Sequence, residues 1–210
     1  MKRAQMILIA LLAVYSLSIL SIEFRTSQDY VRNYLTDIEG PVHFFAVNTS
    51  LSAFLLGSTA LIFAINTLFL GDDRKARVFY ITQTAVFVYL GMDDRFLFHE
   101  WLGGRLGISD AFVLAALGAV EGVLLLSLGD LKRRSFAVWW PLLAASAFFT
   151  IMTFIDGFLP SRLPLRLSAE DLCKTWGGFC FFLFALRICH SHIVALKQLA
   201  SSAATESKVL

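Results

Sequence analysis

Long apolar runs separated by short charged breaks dominate the chain, and their length is the first physical constraint on the fold. A hydrocarbon slab about 30 Å thick takes about 20 residues of helix to cross. Runs of that size recur at about residues 5–22, 42–70, 78–98, 111–128, 136–159 and 172–196. The pattern predicts an all-α, polytopic membrane bundle of about six transmembrane helices, one domain over residues 1–210. The two-residue alternation of a membrane barrel strand is nowhere sustained, which excludes a barrel. Ser109 and Asp110 offer N-caps to the fourth helix, and Ser168 with Asp171 reads as a capping box opening the sixth. Between the first two runs, Tyr30, Val31, Tyr34, Leu35 and Ile38 recur at helical spacing among charges. That stretch reads either as a short helix on the membrane surface or as a structured loop.

Composition agrees with the pattern. Of 210 residues, 57% are hydrophobic and 16% charged, with a mean hydropathy of +0.69, more apolar surface than one water-soluble core could hide. The lipid bilayer is therefore the expected surrounding. Net charge is +2 with no dense run of Lys and Arg, so no nucleic-acid partner is expected. Basic residues report orientation instead, because they are retained on the cytoplasmic side. With both termini in the cytoplasm, Lys2, Arg3, Arg74, Lys75, Arg77, Lys132, Arg133, Arg134, Arg187, Lys197 and Lys208 fall on that side, most of the 18 basic residues. The first run has the basic start of a signal peptide but the length of a retained anchor; its removal would leave five spans. Cys173, Cys180 and Cys189 share the last run without CxxC spacing, which argues against a disulfide framework or redox dithiol.

In that orientation the acidic residues crowd toward the outer side: Glu23, Asp29, Asp37, Glu39, Asp93, Asp94, Glu100, Asp110, Asp156, Glu170 and Asp171. Several end apolar spans, where a carboxylate is costly unless paired, hydrated or bound to a cation. The densest piece, residues 93–100, reads as a continuation of the third span. On one continuous helix Asp93 and Glu100 would return to the same face within about 20°, about 10 Å apart along the axis. That is too far to share an ion unless other helices add ligands. Asp156 at the end of the fifth span, with Glu170 and Asp171 at the start of the sixth, could do so. The candidate catalytic residues are Asp93, Asp94, His99 and Glu100. The candidate metal ligands are Asp93, His99, Glu100, Asp156, Glu170 and Asp171, an oxygen-rich set suited to a divalent Mg, Mn or Ca ion. With a bound water such a set supports hydrolysis. The competing reading is an ion-pair network: Glu170 with Lys174 at i,i+4, and Asp94 or Glu100 with an arginine.

Glu121 stands apart, near the middle of the fourth span, where it needs a partner. Asn48, Ser52, Thr59 and Asn66 on the second span are candidates, and the roles open to it are a neutral carboxyl that glues two helices or a proton or cation relay. His190 and His192 lie at the opposite end of the bundle from the acidic cluster, without a ligand set for haem or zinc. His43 and the four tryptophans suit an interfacial belt.

Asp93, Asp94, Phe96, His99 and Glu100 resemble a group of uncharacterised bacterial multi-pass membrane proteins that carry an Asp-Asp/Glu-x-Phe-x-x-His-Glu stretch at the end of a span, with looser similarity at Glu170, Asp171, Lys174 and Gly177. The resemblance implies a bacterial inner (plasma) membrane origin and no particular reaction. A more distant likeness is to alkaline-ceramidase-like membrane hydrolases, whose HxxxH pair this chain lacks. Two functions remain open on sequence. One is an outward-facing, metal-assisted enzyme acting on a lipid or membrane-soluble substrate. The other is a non-enzymatic small transporter, channel subunit or membrane-assembly partner. A blind pocket would favour the first, a continuous polar track the second.

Overall fold

The computed structural model describes residues 2–32, 47–70, 73–129, 135–160 and 162–206. Among them are eight helices and no strand: α1 Lys2–Arg25, α2 Gln28–Val31, α3 Val47–Leu68, α4 Arg74–Phe96, α5 Phe98–Leu106, α6 Asp110–Leu128, α7 Phe136–Phe158 and α8 Arg166–Glu206. Four of them, α3, α6, α7 and α8 up to Ala195, are long and apolar enough to cross a membrane. The remainder of the anticipated 30–38 segment, His43, and residues 71–72 and 130–134 lie outside the described residues.

The buried positions show why these segments are helices. On α3, Asn48, Ser52, Leu55, Leu56, Thr59, Ala60, Phe63 and Asn66 are buried, a three- and four-residue spacing that makes one stripe. On α4 the stripe runs through Phe79, Tyr80, Gln83, Phe87 and Asp94. The opposite faces carry bare apolar side chains; Phe54, Leu68 and Leu126 are more than two-thirds exposed. In water such surface would be a liability, and in a bilayer it is the lipid contact. Asp73 caps α4 by accepting the Ala76 N–H at 3.0 Å.

Helix α8 packs along α7 and α3, α3 packs along α4, and α6 touches α4, α5 and α7. Aromatic rings fill the centre. Phe63 stacks on Phe87 with centroids 5.6 Å apart, and Phe87 meets Phe181 edge-on at 4.9 Å. A proline sits inside α7 at position 141 and has no N–H to give to Ala137 four residues back. Arg187 of α8 donates to the Ala137 carbonyl instead and lies over the Trp140 ring at 4.9 Å, so the defect becomes a joint between the two helices.

Three expectations about local structure change. The third apolar segment does not continue through residue 98: α4 ends at Phe96, Leu97 takes the left-handed conformation at φ 55°, and α5 starts afresh. Asp93 and Glu100 therefore lie on two helices and not in line on one. Helix α8 begins at Arg166, so Ser168 and Asp171 fall inside its first turns and do not cap it. Leu165, at φ 63°, is the residue that turns the chain into α8.

At Gly177, α8 comes so close to α7 that an added Cβ would stand 2.6 Å from the Phe149 ring, which is itself packed 5.5 Å from Phe181. Gly118 on α6 has open space around the same position. Gly177→Ala should therefore lower stability by about 1–3 kcal/mol through overpacking, whereas Gly118→Ala should leave it unchanged or slightly higher. Thermal unfolding of both variants in detergent checks this; equal midpoints would show that Phe149 yields freely.

Candidate functional site

One end of the bundle gathers charged side chains from five helices. Asp93 and Asp94 come from the end of α4, His99 and Glu100 from the start of α5, and Asp110 from the start of α6. Asp156 comes from the end of α7, and Glu170 with Lys174 from the first turns of α8. They surround a cavity of about 90 Å³, room for several waters, whose remaining walls are Leu56, Leu90, Leu97, Leu114, Phe149 and Met152.

The break at Leu97 builds the centre of this site. Asp93 is 3% exposed, and its two carboxylate oxygens divide between two groups of one residue. The His99 backbone N–H donates to Oδ1 at 2.8 Å, and the His99 ring Nδ1 lies 2.8 Å from Oδ2. The first contact satisfies a free N–H in the first turn of α5; the second fixes the ring and its tautomer, Nδ1 carrying the proton and Nε2 left free. Burial works against the imidazolium, but the hydrogen bond and negative charge of Asp93 outweigh it, and the His99 pKa rises above its ordinary 6.5.

The other acids are paired differently from the anticipated scheme. Lys174 reaches across to α4 and meets Asp94 at 2.5 Å, so it is not the i,i+4 partner of Glu170. Arg166 holds the end of α7, donating to the Asp156 carbonyl at 2.8 Å and carboxylate at 3.2 Å, and stands 3.7 Å from Glu170. The exchange has a geometric cause: α8 starts a turn early, which puts Arg166 one turn before Glu170 and frees Lys174 to point at α4.

All four candidate catalytic residues, Asp93, Asp94, His99 and Glu100, line the cavity, as do Asp156 and Glu170. Asp171 does not; its backbone carbonyl accepts from Asn48 at 3.1 Å and Thr175 at 3.0 Å. Asp110, read from sequence as a helix cap and one of the outward acidic residues but not as a ligand, also lines the cavity, and His99, Glu100 and Asp110 bring one ligand atom each within 4.8 Å of one another. Nothing in the spacing of residues 93–110 announces that convergence, because it depends on the turn at Gly107, φ 67°, and on the close approach at Gly103. An added Cβ there would be 3.0 Å from the Ile108 carbonyl and 3.2 Å from the Asp110 nitrogen.

The other singled-out polar groups lie elsewhere. Glu121 is buried and faces Gln83 of α4, not the α3 residues proposed for it; Asn48 instead accepts from Thr175 at 2.9 Å and Tyr15 at 3.1 Å. His192 meets Tyr80 at 3.0 Å, 18 residues along α8 from Lys174 and so about 27 Å from the cavity.

The fold and site thus define an all-helical bundle, four of its helices long and apolar enough to cross a membrane, with a charged cavity at one end. Residues 4–189 match the family described as domain of unknown function DUF8692, and the chain belongs to that family. No curated protein and no solved structure matches it, and nothing found supports the distant likeness to alkaline-ceramidase-like hydrolases.

Two outcomes are expected. Asp93→Asn removes the charge that favours the imidazolium, so His99 should titrate at lower pH than in the wild type, read by NMR of labelled histidine; an unmoved titration would sever the assigned coupling. Lys174→Met leaves Asp94 buried without its cation and should cost about 3–5 kcal/mol, whereas the double variant Asp94→Leu/Lys174→Met should recover most of that loss in chemical denaturation. Additive losses would show that the pair is not coupled.

Proposed function

We propose that this protein is an interfacial membrane enzyme that hydrolyses a lipid or other membrane-soluble substrate. In this reading α1 and α4, 24 and 23 residues long, cross the bilayer with the four apolar helices, giving six spans. Both termini are cytoplasmic, the cavity faces outward, and the membrane is the bacterial inner membrane. The carrying observation is the cavity's two-sided lining: carboxylates, His99 and Lys174 on one part, leucines, Phe149 and Met152 on the other. An apolar tail can lie against the second while a polar bond is presented to the first.

His99, oriented by Asp93, is the residue through which water is activated. The water oxygen bonds to the electrophilic carbon or phosphorus of the substrate, the scissile bond to oxygen or nitrogen breaks, and the water proton ends on the leaving group. The lysine and arginine ion pairs hold α4, α7 and α8 around that point. Beneath the cavity, among the described residues, two of the buried polar groups bond within their own helix and not to one another. Thr59 donates to the Leu55 carbonyl and Asn66 to that of Ile62, each within its own helix, and the stacked Phe63 and Phe87 lie among them. That local bonding favours the enzyme over a conducting path. The second reading, a small transporter, channel subunit or assembly partner, draws on the buried Glu121 facing Gln83.

The test is untargeted mass spectrometry of bacterial lipid extract in nanodiscs, with and without the purified protein. Conversion of a lipid class by wild type, reduced at least ~100-fold in His99→Ala and Asp93→Asn variants of unchanged thermal midpoint, is expected. Unaltered lipids with folded wild type, together with ion or solute flux abolished by Glu121→Gln, would move the protein to the second reading.

A further inference from the structure

Counting charges around the cavity leaves a remainder. Asp93 is matched to His99, Asp94 to Lys174, and Asp156 and Glu170 share Arg166. Glu100 and Asp110 are left; among the described residues no cationic side chain pairs with either, and the bonds Asp110 accepts come from the Ser109 hydroxyl and the Ala111 N–H. Two carboxylates at the mouth of a partly apolar cavity repel each other and lack a countercharge.

His99 points to what supplies it. The residue is 9% exposed, and its Nδ1 and backbone N–H are both committed to Asp93. The ring's other nitrogen, Nε2, is therefore the one that Asp93 does not engage, on a largely buried side chain that lines the cavity. A carboxylate behind one ring nitrogen with the other left open is the arrangement that metal-ligating histidines adopt, since the outer carboxylate fixes the tautomer and raises the basicity of the ligating nitrogen. Ligand atoms of His99, Glu100 and Asp110 lie within 4.8 Å of one another, so small side-chain rotations bring them to the roughly 3.0–3.6 Å that bonds of about 2.0–2.2 Å to one ion require.

We propose that the cavity mouth binds one first-row divalent cation, of the manganese or zinc class, through His99 Nε2 and the carboxylates of Glu100 and Asp110, with Asp93 as the positioning residue behind His99. One imidazole and two carboxylates, without thiolate, is a donor set of that class. The three ligands come from the first turns of α5 and α6, and the close approach at Gly103 holds those turns together. The set differs from the one expected on sequence. Asp110 enters it, Asp93 moves behind the ligand, and Asp156 and Glu170 are held by Arg166. The inference rests on the enzyme reading only for what the ion does, which would be to carry the water, with His99 acting on it as a ligand of the ion and the water proton taken by a cavity carboxylate; binding itself rests on the donors.

The experiment is titration of the full-length detergent-purified protein with Mn²⁺, followed by the electron paramagnetic resonance signal of the free ion, with Zn²⁺ as competitor. One ion per chain is expected, with affinity reduced at least ~100-fold in His99→Ala and Asp110→Asn and ~10–100-fold in Asp93→Asn; Glu121→Gln should bind like wild type. Spin-echo modulation of the bound Mn²⁺ in the wild type should show coupling to one imidazole nitrogen, a readout that does not depend on any variant folding. Wild type that binds neither ion, bound Mn²⁺ without nitrogen coupling, or affinity unchanged in folded His99→Ala and Asp110→Asn would each overturn the site. Stoichiometric binding with no lipid conversion would leave the ion site standing and remove the hydrolytic reading alone.

Discussion

The carboxylate of Asp93 is the constraint on which the arrangement at this end of the bundle depends. A buried carboxylate needs donors, and the nearest are both on His99, six residues ahead. Reaching them requires the helix to stop, and Leu97 accepts a left-handed backbone that costs a branched side chain about 1–2 kcal/mol. Two hydrogen bonds to a charged group offset that cost. Without the break, α5 would extend α4 outward, His99 would leave the bundle, and the first turns of α5 and α6 would not meet.

Ion pairs then close the site from the other side. Lys174 joins α8 to α4 through Asp94, and Arg166 joins α8 to α7 through Asp156. Both pairs act between helices that otherwise meet mainly through apolar and aromatic side chains, with the Tyr80–His192 and Arg187–Ala137 contacts far from the cavity. In a bilayer, apolar contacts alone discriminate weakly among helix registers, since a lipid tail is as good a neighbour as a leucine. A charged pair with one acceptable partner sets the register, and the aromatic packing of Phe63, Phe87 and Phe181 fills in around it.

How legible this was depended on the range of the interaction. The apolar helices were readable because lipid thickness acts on every residue of a span in the same way; α3, α6, α7 and α8 lie where the runs of 42–70, 111–128, 136–159 and 172–196 put them, with shifted ends. The concentration of Asp93, Asp94, His99, Glu100, Asp156 and Glu170 at one end was readable for a related reason, because charges collect where spans end. What could not be read was the pairing. A break at a leucine has no local signature, since glycine or asparagine is the usual occupant of that backbone region. The convergence of Asp110 with His99 depends on that break and on two further turns. Lys174 has Glu170 at helical spacing, and only the placement of α4 shows that Asp94 takes it instead.

The contact between Gly177 and Phe149 carries a further consequence. The Phe149 ring is a wall of the cavity on one side and rests on a bare stretch of α8 backbone on the other. Position 177 therefore acts as a gauge behind that wall. Any side chain larger than hydrogen there pushes on the ring from behind, so the calibre of the chamber, and with it the size of molecule it admits, is set by a residue that the occupant never touches.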